Sequence, residues 1–256
     1  MRVARFAGDD DPRFGLIGDE GGVATVAVLK GDPLYAGIEF TGEKIPLDDV
    51  RLLAPVIPRS KVVCVGKNYA AHAAEMGSAA PTEPLLFLKP NTSVIGPGEP
   101  IFYPEQSNEV HFEGELAVVI GRICRDISPT DAPKVIFGYT IANDVTARDL
   151  QAADGQWTRA KGFDSFCPLG PWIETDLDTE AVSVRTELNG ELKQDGNTRD
   201  LIHRIPDLIA HISSIMTLLP GDVVLTGTPE GVGPMEVGDD VSVTIEGIGT
   251  LSNRVV

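Results

Sequence analysis

The stretch Glu113-Gly114-Glu115, followed by Leu116-Ala117-Val118-Val119-Ile120-Gly121, constrains this chain more than any other. Side chains two apart on a β-strand share a face, so Glu113 and Glu115 stand together, roughly 7 Å apart at their Cα atoms. Phe112, Gly114, Leu116, Val118 and Ile120 take the opposite, apolar face, and Ala117 and Val119 continue the acidic face inward. The two carboxylates therefore sit near one end of a buried strand. There they repel each other and resist desolvation. Any fold built on this strand must bring them something positive: a hard divalent cation, a lysine, or both.

The rest of the chain bounds what surrounds that strand. Its 256 residues suit one large domain, or one domain with a small appendage. A formal charge of −17 argues against an electrostatic nucleic-acid or anionic-membrane partner. It leaves an acidic substrate open, because a bound metal inverts the local field. Cys64, Cys124 and Cys167 show no CxxC spacing, and no secretory leader is evident, so a reduced, cytoplasmic setting is expected. Each cysteine reads as a small buried hydrophobe. No apolar run approaches the ~18 residues of a membrane span.

In chain order, residues 1–56 read as short strands and turns, with Asp9-Asp10-Asp11-Pro12 one of the turns. They predict a small N-terminal β domain, and residues 57–256 the main domain. Lys61 to Gly66 is a short buried strand, left through Lys67-Asn68-Tyr69. In the alanine-rich helical turn that follows, His72 and Glu75 stand at i and i+3 and can hydrogen-bond. On spacing alone an ordinary surface pair on a short helix is the favoured reading. Leu85 to Pro90 is a strand, and Phe137 to Asp144 a strand ending in a carboxylate. Thr146 to Gln151 begins a helix or tight turn, and Lys161 falls in a small-residue loop. Asn189-Gly190 signals a type I′ hairpin, and Ile205 to Ile215 has helical spacing. His211 on that helix reads as packed or solvated. Thr226 to Gly233 is a glycine-rich loop whose N–H groups can hold an anion. Strands dominate, and the spacing of glycine and proline suits a rolled or barrel-like β architecture.

Glu113, Glu115 and Asp144 each lie near the end of an expected strand. All-oxygen ligation favours Mg²⁺, Mn²⁺ or Ca²⁺ over zinc and leaves about three octahedral places for water or a chelating substrate. The alternative is pairing with lysine or arginine, which an excess of 38 acids over 21 bases weakens.

Several segments together resemble the fumarylacetoacetate hydrolase superfamily. They are Gly66-Lys67-Asn68-Tyr69 with His72 and Glu75, Leu86-Phe87-Leu88-Lys89-Pro90, Glu113-Gly114-Glu115-Leu116 and Asn143-Asp144-Val145-Thr146-Ala147-Arg148-Asp149. Lys161-Gly162-Phe163-Asp164 and Leu225 to Gly233 complete the series, in the family's order, over roughly residues 57 to 256. The N-terminal 56 residues look like the small extra domain of bacterial members. The resemblance implies a mainly β (α+β) fold, a mixed β-sandwich roll, commonly in a homodimer. It implies Mg²⁺ or Mn²⁺ on Glu113, Glu115 and Asp144, with Ca²⁺ a substitute in crystals. It puts a catalytic lysine at Lys161, the His-Glu pair of the acylpyruvate-hydrolase members at His72 and Glu75, and substrate contacts at Arg148, Gln151 and Thr228. The founding fumarylacetoacetases position their base differently, so their own substrate is not expected. What is expected is hydrolytic carbon–carbon cleavage of an acylpyruvate such as fumarylpyruvate, in aromatic-compound catabolism. Isomerisation of 2-hydroxyhepta-2,4-diene-1,7-dioate and decarboxylation of oxaloacetate are alternatives that use the same enolate chemistry.

Overall fold

The computed structural model describes residues 1–9 and 11–256. The turn expected at Asp9 to Pro12 includes Asp10, which lies outside the described residues. A twelve-stranded mixed sheet forms the body of the molecule. From its middle to one edge it runs Cys167–Glu174, Ile136–Asn143, Gly114–Ile120, Val223–Leu225, Val62–Gly66, Leu85–Lys89. A four-stranded sheet, Glu191–Asn197, Ser183–Leu188, Asp240–Ile245 and Gly249–Arg254, packs against one face of it. A three-stranded sheet of Thr146–Ala147, Val110–Phe112 and Gly233–Met235 stands at the end where the acidic residues lie. The architecture is the mainly β, α+β roll expected from the sequence.

The Gly114–Ile120 strand is buried along its whole length. Leu116, Val118 and Ile120 join a core with Val184, Val243, Ile245 and the Ile205–Ile215 helix, whereas Ala117 and Val119 pack with Val62, Cys64, Leu169 and Val223 on the other side. Both flanking strands pair with it antiparallel, Leu116 opposite Ile141 and Val118 opposite Val224. Asn189 and Gly190 turn the hairpin with φ of 53° and 79°, the two left-handed residues that a type I′ turn requires.

Two expectations are corrected. The acidic strand is not continuous from Phe112. It breaks at Glu113, and Val110–Phe112 belongs to the three-stranded sheet, with Phe112 in a separate core. The Glu113 N–H donates to the Asn143 side-chain oxygen at 2.9 Å instead of to a ladder partner. Lys161 lies at the end of a single helical turn, Thr158–Lys161, not in a loop. The strands of residues 1–56 join the large sheet. Arg2–Phe6 pairs with Cys167–Glu174, so they extend the main sheet, around a small core of Phe6, Val26 and Val28.

Candidate active site

Each acid reaches the site from a strand end. Glu113 occupies the break before Gly114–Ile120, Glu115 is that strand's second residue, and Asp144 follows Ile136–Asn143 directly. The Asp144 N–H donates to the Glu113 carbonyl at 2.8 Å and locks the two strand ends together. One oxygen from each of the three buried carboxylates lies within 4.8 Å of the others. Gly114 is required between the two glutamates, because a Cβ there would stand 2.2 Å from Thr186 Oγ1 of the overlying hairpin.

Cations meet this cluster from two further elements. Lys161 Nζ donates to Glu113 Oε2 at 2.7 Å and Asp144 Oδ2 at 2.6 Å. Arg148 Nη2 donates to Glu113 Oε1 at 2.6 Å, and its Nη1 to Gln151 Oε1 at 2.8 Å, one helical turn on. Burial raises the Glu113 carboxyl, but Lys161 and then Arg148 outweigh it and hold the group well below the usual carboxylate range. Glu115 differs. Burial, reinforced by the Asp144 and Glu113 charges, pushes its carboxyl far up, against the opposing pull of Lys161 and the Gly227 N–H that donates to it at 2.6 Å. Burial would strip Lys161 of its proton, but Asp144 and Glu113 raise it and keep it an ammonium.

A cavity of about 270 Å³ opens onto the cluster. His72, Glu113, Glu115, Asp144, Arg148, Gln151, Lys161 and Thr228 line it, which are eight of the nine residues singled out from the sequence. The ninth, Glu75, connects through His72: its Oε2 lies 3.2 Å from His72 Nδ1, while its Oε1 accepts the Gly231 N–H at 3.0 Å. The pair is therefore not a free surface pair, since His72 is buried and Glu75 ties its helix to the glycine-rich loop. His211 is half-buried on the Ile205–Ile215 helix and does not line the cavity.

Two residues of the site escaped sequence reasoning. Lys89, wholly buried, donates to Asp144 Oδ1 at 2.6 Å and to the Val145 carbonyl at 3.1 Å. The signal was a lysine closing an otherwise apolar strand. Gln194 accepts the Gly114 N–H at 2.9 Å and donates to Thr228 Oγ1 and the Pro229 carbonyl at 2.8 Å each. No local pattern marks it.

The donor set fits a hard divalent cation. It is all oxygen, preorganised and buried, with no thiolate or imidazole among the three converging groups. Glu115 in particular has its charge disfavoured by everything but Lys161 and one N–H, and a cation beside it reverses that.

Known proteins share this plan. The family model for the fumarylacetoacetate (FAA) hydrolase C-terminal region matches residues 61–256, and that for the Rv2993c-like N-terminal region matches residues 1–55. A 5-carboxymethyl-2-hydroxymuconate delta-isomerase from Mycobacterium smegmatis has the same fold, with TM-score 0.93 and 55% identity over 100% of this chain and 99% of its own. A 2-hydroxyhepta-2,4-diene-1,7-dioate isomerase from Mycobacterium marinum superposes with TM-score 0.92 at 53% identity, over 100% of this chain and 98% of its own. The oxaloacetate tautomerase YcgM of Escherichia coli is 47% identical over 78% of this chain and 94% of its own length.

Proposed function

The chain belongs to the fumarylacetoacetate hydrolase family and is an enzyme of it, and from that premise we propose that it moves a proton beside the keto group of a 2-oxo dicarboxylic acid. In this reading Glu113, Glu115 and Asp144 hold Mg²⁺ or Mn²⁺. The observation that carries it is the His72–Glu75 pair on the wall of a cavity whose floor is the carboxylate cluster and Lys161.

The Glu75 carboxylate accepts the Nδ1 proton of His72, which fixes the tautomer and leaves the Nε2 lone pair free. Nε2 takes the proton from the carbon next to the keto group and returns it to carbon or oxygen. A divalent cation held by the three carboxylates would supply Lewis acidity for the negative charge that develops on the keto oxygen. Lys161, held as an ammonium by its two carboxylates, adds fixed positive charge beside that oxygen. Arg148 and Gln151, bonded to each other at 2.8 Å, orient the substrate carboxylate. Phe87 and Trp157, edge to face with centroids 5.2 Å apart, wall off water. The relatives named for isomerisation and tautomerisation support this chemistry.

Hydrolysis of an acylpyruvate is the second reading, favoured by the same pair: a His72 that can take a proton from carbon can take one from water. The enzyme is read as a cytoplasmic homodimer in either case. No helix among the described residues is long and apolar enough to cross a membrane.

The test is a turnover panel on metal-stripped protein with Mg²⁺ or Mn²⁺ restored. Accelerated decay of the enol absorbance of oxaloacetate at constant total oxaloacetate, or a metal-dependent shift of the heptadienedioate spectrum, supports proton transfer. Faster metal-dependent cleavage of fumarylpyruvate replaces it with the hydrolase. Silence across the panel overturns both.

A further inference from the structure

Lys67 lines the cavity, is partly buried, and has no part in the chemistry above. Its backbone is left-handed, with φ of 57°. That region is uncommon for a residue with a Cβ, and such conformations persist where the surroundings enforce them, typically at functional sites. Here the enforcement is visible in the next residue. Asn68 is buried, and its side chain donates to the carbonyls of His203 and Thr226 at 3.0 and 2.8 Å. Its side-chain oxygen accepts the His203 N–H at 2.8 Å, and its own carbonyl accepts the Ile202 N–H at 2.8 Å. Gly227 admits this clamp, since a Cβ there would stand 2.7 Å from the Asn68 Cβ. The chain leaving the Val62–Gly66 strand is thus pinned from two sides, and Lys67 is held against the cavity.

The charges facing the cavity set Lys67 apart. Lys161 is saturated by Glu113 and Asp144, and Arg148 is paired with Glu113. Among the described residues, Lys67 is the one lysine or arginine lining the cavity with no ion-pair partner. Glu113 and Asp144 already pair with Lys161, Lys89 and Arg148, and Glu115 accepts the Gly227 N–H, so Lys67 makes no ion pair with the buried acids. An unpaired ammonium on a pinned backbone, lining a small cavity, is arranged to meet a charge that arrives with the ligand.

We infer that Lys67 is a specificity-determining residue that pairs with the distal carboxylate of a 2-oxo dicarboxylic acid, the end away from the keto group. This rests on the proton-transfer reading of the same site, and binding separates the two. The variants are Lys67→Asn, which tolerates the left-handed backbone and removes the charge, and Lys67→Arg, which retains it. The ligands are oxaloacetate for turnover, and 2-oxoglutarate and pyruvate for calorimetric binding to the Mn²⁺-loaded protein. Pyruvate has the 2-oxo acid but no distal carboxylate. In Lys67→Asn, KM for oxaloacetate and Kd for 2-oxoglutarate should rise about ten- to a hundredfold, the scale of one charge-assisted contact, with pyruvate binding unchanged. Lys67→Arg should recover most of the loss. Equal weakening of pyruvate, a fall in kcat at constant KM, or no change in 2-oxoglutarate binding would overturn the inference. Should the wild-type protein turn over no 2-oxo acid, the functional reading fails, and the contrast between 2-oxoglutarate and pyruvate still decides the role of Lys67.

Discussion

Lys161 and the carboxylates it touches at 2.6 and 2.7 Å are all buried, so no solvent replaces a partner that is removed. Lys161→Met should destabilise the metal-free protein by about 3 kcal/mol, the low end for breaking a buried pair, because Arg148 and Lys89 remain on the two acids. For a chain of this size calorimetry should record a fall in Tm of about 6–12 °C. His72 carries no such structural load, and among the described residues its ring hydrogen-bonds to Glu75 alone. His72→Ala should lower turnover by about 10²- to 10⁴-fold, the usual contribution of a positioned base, and leave Mn²⁺ affinity unchanged. A full rate in that variant would remove His72 from the mechanism. The acids and the His72–Glu75 pair were legible in the sequence because each is local: charges closing apolar strands, and two residues one helical turn apart. Lys89 was not, because its role depends on Asp144, 55 positions away, and only sheet pairing brings them together.

At the scale of elements, the site is a strand end held down by a hairpin. Gln194, from the Glu191–Asn197 strand, satisfies the Gly114 N–H between the two glutamates and also holds Thr228, whose Oγ1 donates to the Gly114 carbonyl at 2.9 Å. Gln194→Leu fills similar space and orphans the Gly114 N–H and the Pro229 carbonyl. It should destabilise the fold by about 1–3 kcal/mol per orphaned group, read as a lower urea midpoint. Mn²⁺ affinity should fall with it, because the two glutamates lose the contact that fixes their spacing. An unchanged affinity would mean that the sheet alone sets that spacing. The hairpin and its turn were readable from Asn189-Gly190, since turn chemistry is local. The strand break at Glu113 was not: the alternation of Phe112, Gly114 and Leu116 runs through it unbroken, and the interruption is imposed by the Asn143 side chain of a neighbouring strand. The Thr158–Lys161 turn is too short to show any periodicity.

Across the whole molecule, the cluster lies at the ends of two neighbouring strands of the large sheet, Gly114–Ile120 and Ile136–Asn143, so a cation bound there should stabilise far more than its own ligands. Binding to the folded state alone contributes RT ln(1 + [M]/Kd), about 2.7 kcal/mol at a hundred times Kd, or a rise in Tm of about 5–10 °C. Two cysteines report whether the gain reaches the sheet. Cys64 and Cys167 lie in the Val62–Gly66 and Cys167–Glu174 strands, on opposite sides of Gly114–Ile120, and both are fully buried. Burial pushes both thiols up, Cys167 to about 12, so at neutral pH neither reacts until its strand opens. Their labelling by a thiol reagent, resolved by peptide mass spectrometry, therefore measures opening of the sheet. If the site and the sheet open as one unit, Mn²⁺ at a hundred times Kd should slow labelling of both cysteines about a hundredfold, and a chelator should restore the original rate. Slowing at one cysteine alone would place a boundary between cooperative units within the sheet. No slowing at either would mean that the carboxylate cluster comes apart without the strands that carry it.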